Sequence, residues 1–236
     1  MGILEINRRF YDSLWKDARF VEPSRFNTWE IIRPLLPQAR SRLEVAPGLR
    51  PRLPLDGTQF LDISREAVEK LRTHRANATV GSITAIPFPD ASFDLVCALD
   101  IVEHVDDDNE AFAELARVAR PGATLLLSAP LNPEAWTGFD AVVGHRRRYN
   151  LEDLLARLSA HGFTVKKSAA YGMQPKSSAA LNFGIWFLNH RRRIAMLWYT
   201  YILMPLALRF QKKLILSDGL ADTRDAGDIF LLCQRS

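Results

Sequence analysis

The chain has 236 residues, 47% of them hydrophobic and 25% charged, the size and composition of one soluble α/β domain. Its net charge of +4 is local: Lys176 to Lys213 holds seven Lys/Arg and no acid, so the remainder is net acidic. That distribution does not support a nucleic-acid role for the domain as a whole, and no nucleic-acid partner is expected. The two cysteines, Cys97 and Cys233, sit in apolar runs and read as buried free thiols suited to a reducing cytoplasm. No Cys/His cluster has metal-ligand spacing, so no metal is expected. The N-terminus, MGILEINRRFYDSLW, lacks the apolar run of a signal peptide.

In chain order, residues 3–36 read as helical with a break at Glu22-Pro23-Ser24. Phe10, Tyr11, Leu14 and Trp15 recur at helical spacing. A helix packed on a sheet is favoured over a lid in which Tyr11 or Trp15 faces a cation. Pro34 and Pro37 close this section.

The central stretch is RLEVAPGLRPRLPLDGTQFLD, residues 42–62. It reads as strand, Pro47-Gly48 turn, connection and second strand ending at Asp62. A turn glycine after one strand, with a carboxylate closing the next about 20 residues on, is the layout of a nucleotide-binding unit. Asp62 could accept from both hydroxyls of a ribose. A dinucleotide fingerprint would place glycines where Ala46, Gly48 and Arg50 stand. Two are missing, which argues against a bound pyrophosphate and less against a nucleoside without phosphates.

Ser64 reads as the N-cap of REAVEKLRTH, and Thr79-Val80-Gly81 as a short strand. Phe93 to Leu99 is a near-continuous apolar run, as in a strand buried on both faces, and it ends at Asp100. Asp107 or Asp108 caps NEAFAELARVAR, with Arg117 and Arg120 in its last turn and Pro121-Gly122 as its stop. ATLLLSA is the next strand, ending at Pro130. A loop then leads to Asn150, which caps LEDLLARLSAHG. Phe163 to Ala169 and Asp228 to Cys233 are the final strands. Alternating strands and helices predict a parallel sheet covered on both faces, with ligands beyond the strand C-termini. Glu44, Asp62, Gly81-Ser82, Asp100 and Pro130 all stand at those ends.

These segments carry a resemblance. LEVAPG, FLDIS, VGSITAIPFPDASFDLVCALDIVEHV, ELARVARPGATLLLSAP and HRRRYNLEDLLARLSAHGF stand in family order over about residues 42–169. The sequence resembles the class I S-adenosylmethionine-dependent methyltransferases, in the methyltransferase type 11 family. The resemblance implies a Rossmann-like α/β fold, a seven-stranded sheet with helices on both faces and an antiparallel last strand. A single domain is expected: an N-terminal helical cap (1–38), a cofactor-binding core (39–172), an apolar and basic helical insertion (173–216), and the last strand (217–236).

The resemblance also implies roles. Glu44 and Gly48 would line the methionine end of S-adenosyl-L-methionine, Asp62 would hold the ribose diol and Ile63 would touch adenine. Ser82, followed by Ile83, replaces an acid that usually takes the adenine amino group. Ala46 and Arg50 replace glycines and could tighten the pocket. Asp100 and Glu103 read as cofactor-side or structural. A sulfonium methyl is already activated, so in-line positioning can supply effective molarities of roughly 10⁵–10⁸ M. A base is needed only when the acceptor must lose a proton. His104 and His145 are the candidates, each weighed against a structural role. Arg146, Arg147 and Arg148 read either as a site for an acidic acceptor or as a solvated run.

The insertion carries two uncharged runs, Ser177 to Asn189 and Ile194 to Leu208, separated by His190 and three arginines. The second is shorter than the roughly 18 residues a spanning helix needs. It reads first as a cap over the acceptor pocket, then as peripheral contact with the inner face of a membrane through 177–210, or as the surface of a homodimer. The expected function is methyl transfer to a small apolar, aromatic or lipid-linked acceptor. The alternatives are a non-catalytic cofactor-binding protein and a nicotinamide-dependent oxidoreductase.

Overall fold

A computed structural model describes residues 3–171, 184, 186–187, 190–223 and 226–236. Most of the uncharged run 177–189, including Phe183, lies outside the described residues. The chain opens with α1 (Ile3–Asp17), α2 (Trp29–Ile32), β1 (Arg42–Val45), β2 (Thr58–Asp62), α3 (Arg65–Thr73) and β3 (Asn77–Val80). It continues with β4 (Phe93–Leu99), α4 (Asp108–Val118), β5 (Ala119–Pro130), α5 (Gly138–Val143), α6 (Leu151–Ala160) and β6 (Phe163–Tyr171). A helical stretch then runs from Arg192 to Phe210, with a π-turn at Tyr199–Leu203, before β7 (Ser217–Asp218) and β8 (Asp228–Arg235).

The sheet order is β3-β2-β1-β4-β5-β8-β6-β7. The pairs among β1 to β5 are parallel, and β8 runs antiparallel between β5 and β6. The expected seven strands are present with an eighth added: the two-residue β7 extends the β6 edge at Lys167 and Ser168. The Ser168 hydroxyl secures it by donating to the Gly219 carbonyl and accepting from the Ala221 amide. Strand order reverses around β1, whose neighbours are β2 and β4, so a crevice opens above their C-termini.

Hydrophobic residues cover both faces. Phe112, Leu115, Leu154 and Leu158 from α4 and α6 pack on one, with Leu43, Val96 and Leu127. On the other, Trp15, Val68 and Leu71 from α1 and α3 pack on Phe60, and Ile32 packs near Leu95, Leu126 and Phe230. Cys97 and Cys233 are buried free thiols on opposite faces.

Ser64 accepts from the Ala67 amide, and Asp107 from the Glu110 amide, so both expected caps form. Two local expectations are corrected. Helix α4 ends at Val118 rather than running through Arg120, because Ala119 already pairs with Phe93 in the sheet. Arg120 then reaches Asp94 at 2.8 Å instead of a helix end. Asn150 stands at the N-cap of α6 without making the cap bond; its amide donates to Asp153 instead.

Candidate functional site

A cavity of about 420 Å³ opens above the C-termini of β1, β2 and β4. Its polar floor is Asp62, with Glu44 and Asp100 beside it. Asp62 is buried, and each of its oxygens takes one backbone donor: Oδ2 from Gly48 N–H at 2.9 Å, Oδ1 from Ser64 N–H at 2.8 Å. Those bonds orient the carboxylate and leave lone pairs toward the cavity. Burial raises its pKa to about 6 against those amide donors. Glu44 lines the cavity too, but its carboxylate accepts from the Arg52 and Leu53 amides and so also holds the loop after the turn. Burial pushes it up to about 7.

The turn is unusual in its backbone. Ala46 and Gly48 both have positive φ, +55° and +54°, and Asp100 at the end of β4 has +51°. Left-handed backbone at a non-glycine residue costs about 1–2 kcal/mol, and here it clusters on the cavity rim. Gly48 does not itself line the cavity; Pro47 and Arg50 do. A Cβ on Gly48 would land inside the Trp15 ring. Gly48→Ala is therefore expected to cost about 2–3 kcal/mol from backbone strain and displaced tryptophan. A thermal melt should show it as a drop of roughly 5–10 °C for a chain of this size.

Arg50 does not close the pocket. Its Cζ lies 5.3 Å from the Trp15 ring centroid and 4.9 Å from that of Tyr199. Among the described residues no carboxylate pairs with it. Helix α1 thus packs on the sheet and roofs the cavity at once: Phe10, Tyr11, Leu14 and Trp15 all line it, and the cation that Trp15 meets, Arg50, belongs to the protein. Ile63, Gly81, Ser82 and Ile83 form an apolar wall, where the Ser82 hydroxyl is shared with Thr84 at 2.9 Å. Pro130 is not among the lining residues.

The far end carries His104 and His145, with Val105, Phe139, Val142 and Val143. The two imidazoles stack edge to face with centroids 4.7 Å apart. Burial, with the neighbouring His145, lowers His104 to about 3. Burial also lowers His145, against the pull of Asp140. Both are neutral rings near pH 7. Asp100 accepts from the Ser128 hydroxyl at 2.6 Å, and burial raises its pKa.

The structure reassigns the arginine run. Arg148 is buried and grips Asp140 with a two-pronged pair, Nε to Oδ1 at 2.9 Å and Nη2 to Oδ2 at 3.1 Å. Asp140 also accepts from Thr137 and pairs with His145 Nδ1 at 2.8 Å. Burial pushes this carboxyl up, but the Thr137, Arg148 and His145 bonds outweigh it and hold it below the ordinary range. Arg147 reaches Asp108 at 2.8 Å and Arg146 reaches Asp106 at 3.1 Å. All three are committed to the protein, so the run is neither an open anion site nor a solvated face. Asp140 and the cavity-lining face of α5 were missed in the sequence, where 131–149 read as a loop. The Thr137-x-x-Asp140 spacing of a helix start was the available signal.

Residues 58–127 match the family model described as a methyltransferase domain. A probable S-adenosylmethionine-dependent methyltransferase of Mycolicibacterium smegmatis is 32% identical over 110 residues, 45% of this chain and 43% of that protein. Over this stretch the chain is similar to S-adenosylmethionine-dependent methyltransferases. A possible histamine N-methyltransferase from Thermotoga maritima shares the fold over 100% of both chains, with a TM-score of 0.66 and 17% identity. A probable tocopherol O-methyltransferase from rice is 39% identical over 61 residues, 26% of this chain and 17% of that protein. Each of these matches to a curated relative spans less than half of that relative's length.

The methyl donor of such methyltransferases, S-adenosyl-L-methionine, fits the residues present. Asp62 offers an oriented carboxylate for a ribose diol, the wall at Ile63 and Ile83 is apolar enough for a purine, and Arg50 supplies a cation for an amino-acid carboxylate. The cavity volume is in the range of small-molecule sites.

Proposed function

We propose that the chain transfers a methyl group from S-adenosyl-L-methionine to a small apolar or aromatic acceptor. The observation that carries this reading is one continuous cavity with Asp62 at one end and His104 and His145 at the other. Asp62 would take the ribose diol, the Ile63–Ile83 wall the adenine, and Arg50 the methionine carboxylate. The bound donor supplies an activated methyl group. The chain's own contribution is orientation and the exclusion of water by α1 and the Tyr199 segment. At the far end, the neutral rings of His104 and His145 give a hydroxyl or amine of the acceptor a polar surface. Phe10, Leu14, Phe139 and Val142 favour an apolar body around that polar atom. The match to a probable tocopherol O-methyltransferase supports an acceptor of that general kind.

Calorimetry with S-adenosylmethionine, its demethylated product and NAD tests this directly. The first two should bind and NAD should not; NAD binding alone would return the oxidoreductase alternative. Cofactor binding without turnover on phenol and amine panels would favour the non-catalytic alternative.

A second observation bears on where the acceptor resides. Ile194, Leu197, Trp198, Tyr201, Leu203 and Phe210 are all exposed on one helical stretch, beside Arg209, Lys212 and Lys213. An apolar, aromatic face with basic flanks suits an anionic lipid surface, which supports a lipid-linked acceptor. No helix among the described residues is long and apolar enough to cross a membrane. Co-sedimentation with anionic vesicles should be lost in a Trp198→Ala/Phe210→Ala variant. A face that instead drives concentration-dependent dimerisation in size-exclusion chromatography would reject the lipid reading.

A further inference from the structure

Glu103, His104 and His145 form a cluster that the roles above leave half explained. Glu103 and His104 sit on the 3₁₀ turn Val102–His104 after β4, and His145 follows α5. One ligand atom from each lies within 4.8 Å of the other two. Glu103 Oε1 is 4.0 Å from His104 Nε2 and 3.9 Å from His145 Nε2. Those separations are too long for hydrogen bonds.

Each imidazole is held from its other side. The Nδ1–H of His145 donates to Asp140 Oδ1 at 2.8 Å. His104 has Gly144 on its Nδ1 side. Both Nε2 lone pairs are thereby turned toward Glu103. A histidine braced through its second nitrogen by a carboxylate or carbonyl is the usual support of a metal ligand. The Tyr11 hydroxyl donates to the Val143 carbonyl at 3.1 Å. It lies 3.5 and 3.4 Å from the two His104 nitrogens, nearly equidistant, and so claims neither lone pair.

Glu103 completes the case. Its side chain is 1% exposed, and Oε2 has no hydrogen-bond partner. A buried carboxyl oxygen left unpartnered is unfavourable.

We propose that Glu103, His104 and His145 bind a divalent transition cation of the zinc class, through Glu103 Oε1 and the two Nε2 atoms. Two histidines and one carboxylate with a position left open is the donor set of catalytic zinc and related sites. Metal–ligand bonds of about 2.0–2.1 Å set ligand atoms roughly 3.4 Å apart, so the two Glu103–histidine approaches need to shorten by about half an ångström. The open position faces the cavity, because His104 and His145 both line it. An oxygen of the acceptor would fill it; that use rests on the methyl-transfer reading, whereas occupancy of the site does not.

The test is a titration of chelator-treated, tag-free protein with Co²⁺, followed by visible absorption, with Zn²⁺ added in competition. One equivalent of cobalt should bind and be displaced by zinc. Glu103→Gln, which keeps the side-chain shape but cannot ionise to meet a cation, should weaken binding about tenfold or more, as should His145→Ala. Circular dichroism establishes that each variant is folded. No spectral change up to about millimolar cobalt, or a folded Glu103→Gln that binds as tightly as the parent, overturns the proposal. Should neither variant fold, the parent titration alone decides it. No methyl donor is present, so a negative result leaves the methyltransferase reading intact, and failure to bind S-adenosylmethionine leaves the metal result readable.

Discussion

Asp62→Ala is expected to weaken binding of S-adenosylmethionine and of its demethylated product about a hundredfold. The carboxylate does two things. It anchors the turn through Gly48 N–H and the start of α3 through Ser64 N–H, and it presents its remaining lone pairs to the cavity. A hydrogen bond to a charged group contributes about 1.5–3 kcal/mol, and a diol makes two. After solvent replaces part of that, about 3 kcal/mol remains, which is roughly two decades in Kd. Calorimetry with the demethylated product measures it without turnover, and unchanged affinity would put the ribose elsewhere.

The same residue sets a pH dependence. Burial raises Asp62 to about 6 from an ordinary value of 3.8. The ionised form accepts from both hydroxyls, so affinity should be flat well above pH 6 and fall about tenfold per unit well below it. For stability the sign is opposite. An acid whose folded pKa lies above its unfolded value holds its proton more tightly when folded. Asp62 therefore favours folding as pH drops from about 6 toward 4. Cofactor affinity should fall before the fold does, which parallel calorimetry and melting curves would separate.

Arg148→Ala is expected to cost about 3–5 kcal/mol, the usual effect of removing one partner of a buried ion pair. The guanidinium and the Asp140 carboxylate are each 0% exposed as side chains. Without Arg148, Asp140 keeps only Thr137 and His145 as partners, and the Leu131 carbonyl loses its donor. Differential scanning calorimetry should show a fall in Tm of roughly 10 °C. A fall of under about 2 °C would mean that water reaches the pair and shields it. Arg146→Ala, which breaks only a partly exposed pair with Asp106, should change Tm little.

These two residues mark the division between what could and could not be read along the chain. Asp62 was legible because its signal is local. An apolar strand ends on a carboxylate at a fixed distance after a glycine turn, and the sheet geometry that makes this useful is common to nucleotide-binding α/β units. The buried strands, the caps at Ser64 and Asp107, and the strand-end positions of Glu44, Ser82 and Asp100 were legible for the same reason, whereas Ile63 and Ile83 came from the family resemblance. Gly48 shows a partial reading: its turn was evident, but the tryptophan that occupies its missing side chain lies far earlier in the sequence. Arg148 was not legible. Three arginines after a histidine look alike along the chain, yet Arg148 is buried against Asp140, Arg147 reaches the buried Asp108, and Arg146 makes a partly exposed pair with Asp106. That outcome depends on where α5 and the turn after β4 meet.

By itself, then, the sequence determined the alternation of strands and helices, the turn, and the ring of polar residues at strand ends. Those follow from side-chain periodicity and backbone preference within a few residues. The tertiary structure alone decided that Trp15 roofs Gly48, that Arg50 rests between two aromatic rings, and that Glu103, His104 and His145 converge with Asp140 behind them. Such contacts join distant segments, and their energies arise only when packing excludes water around groups that local chain geometry leaves indifferent to one another.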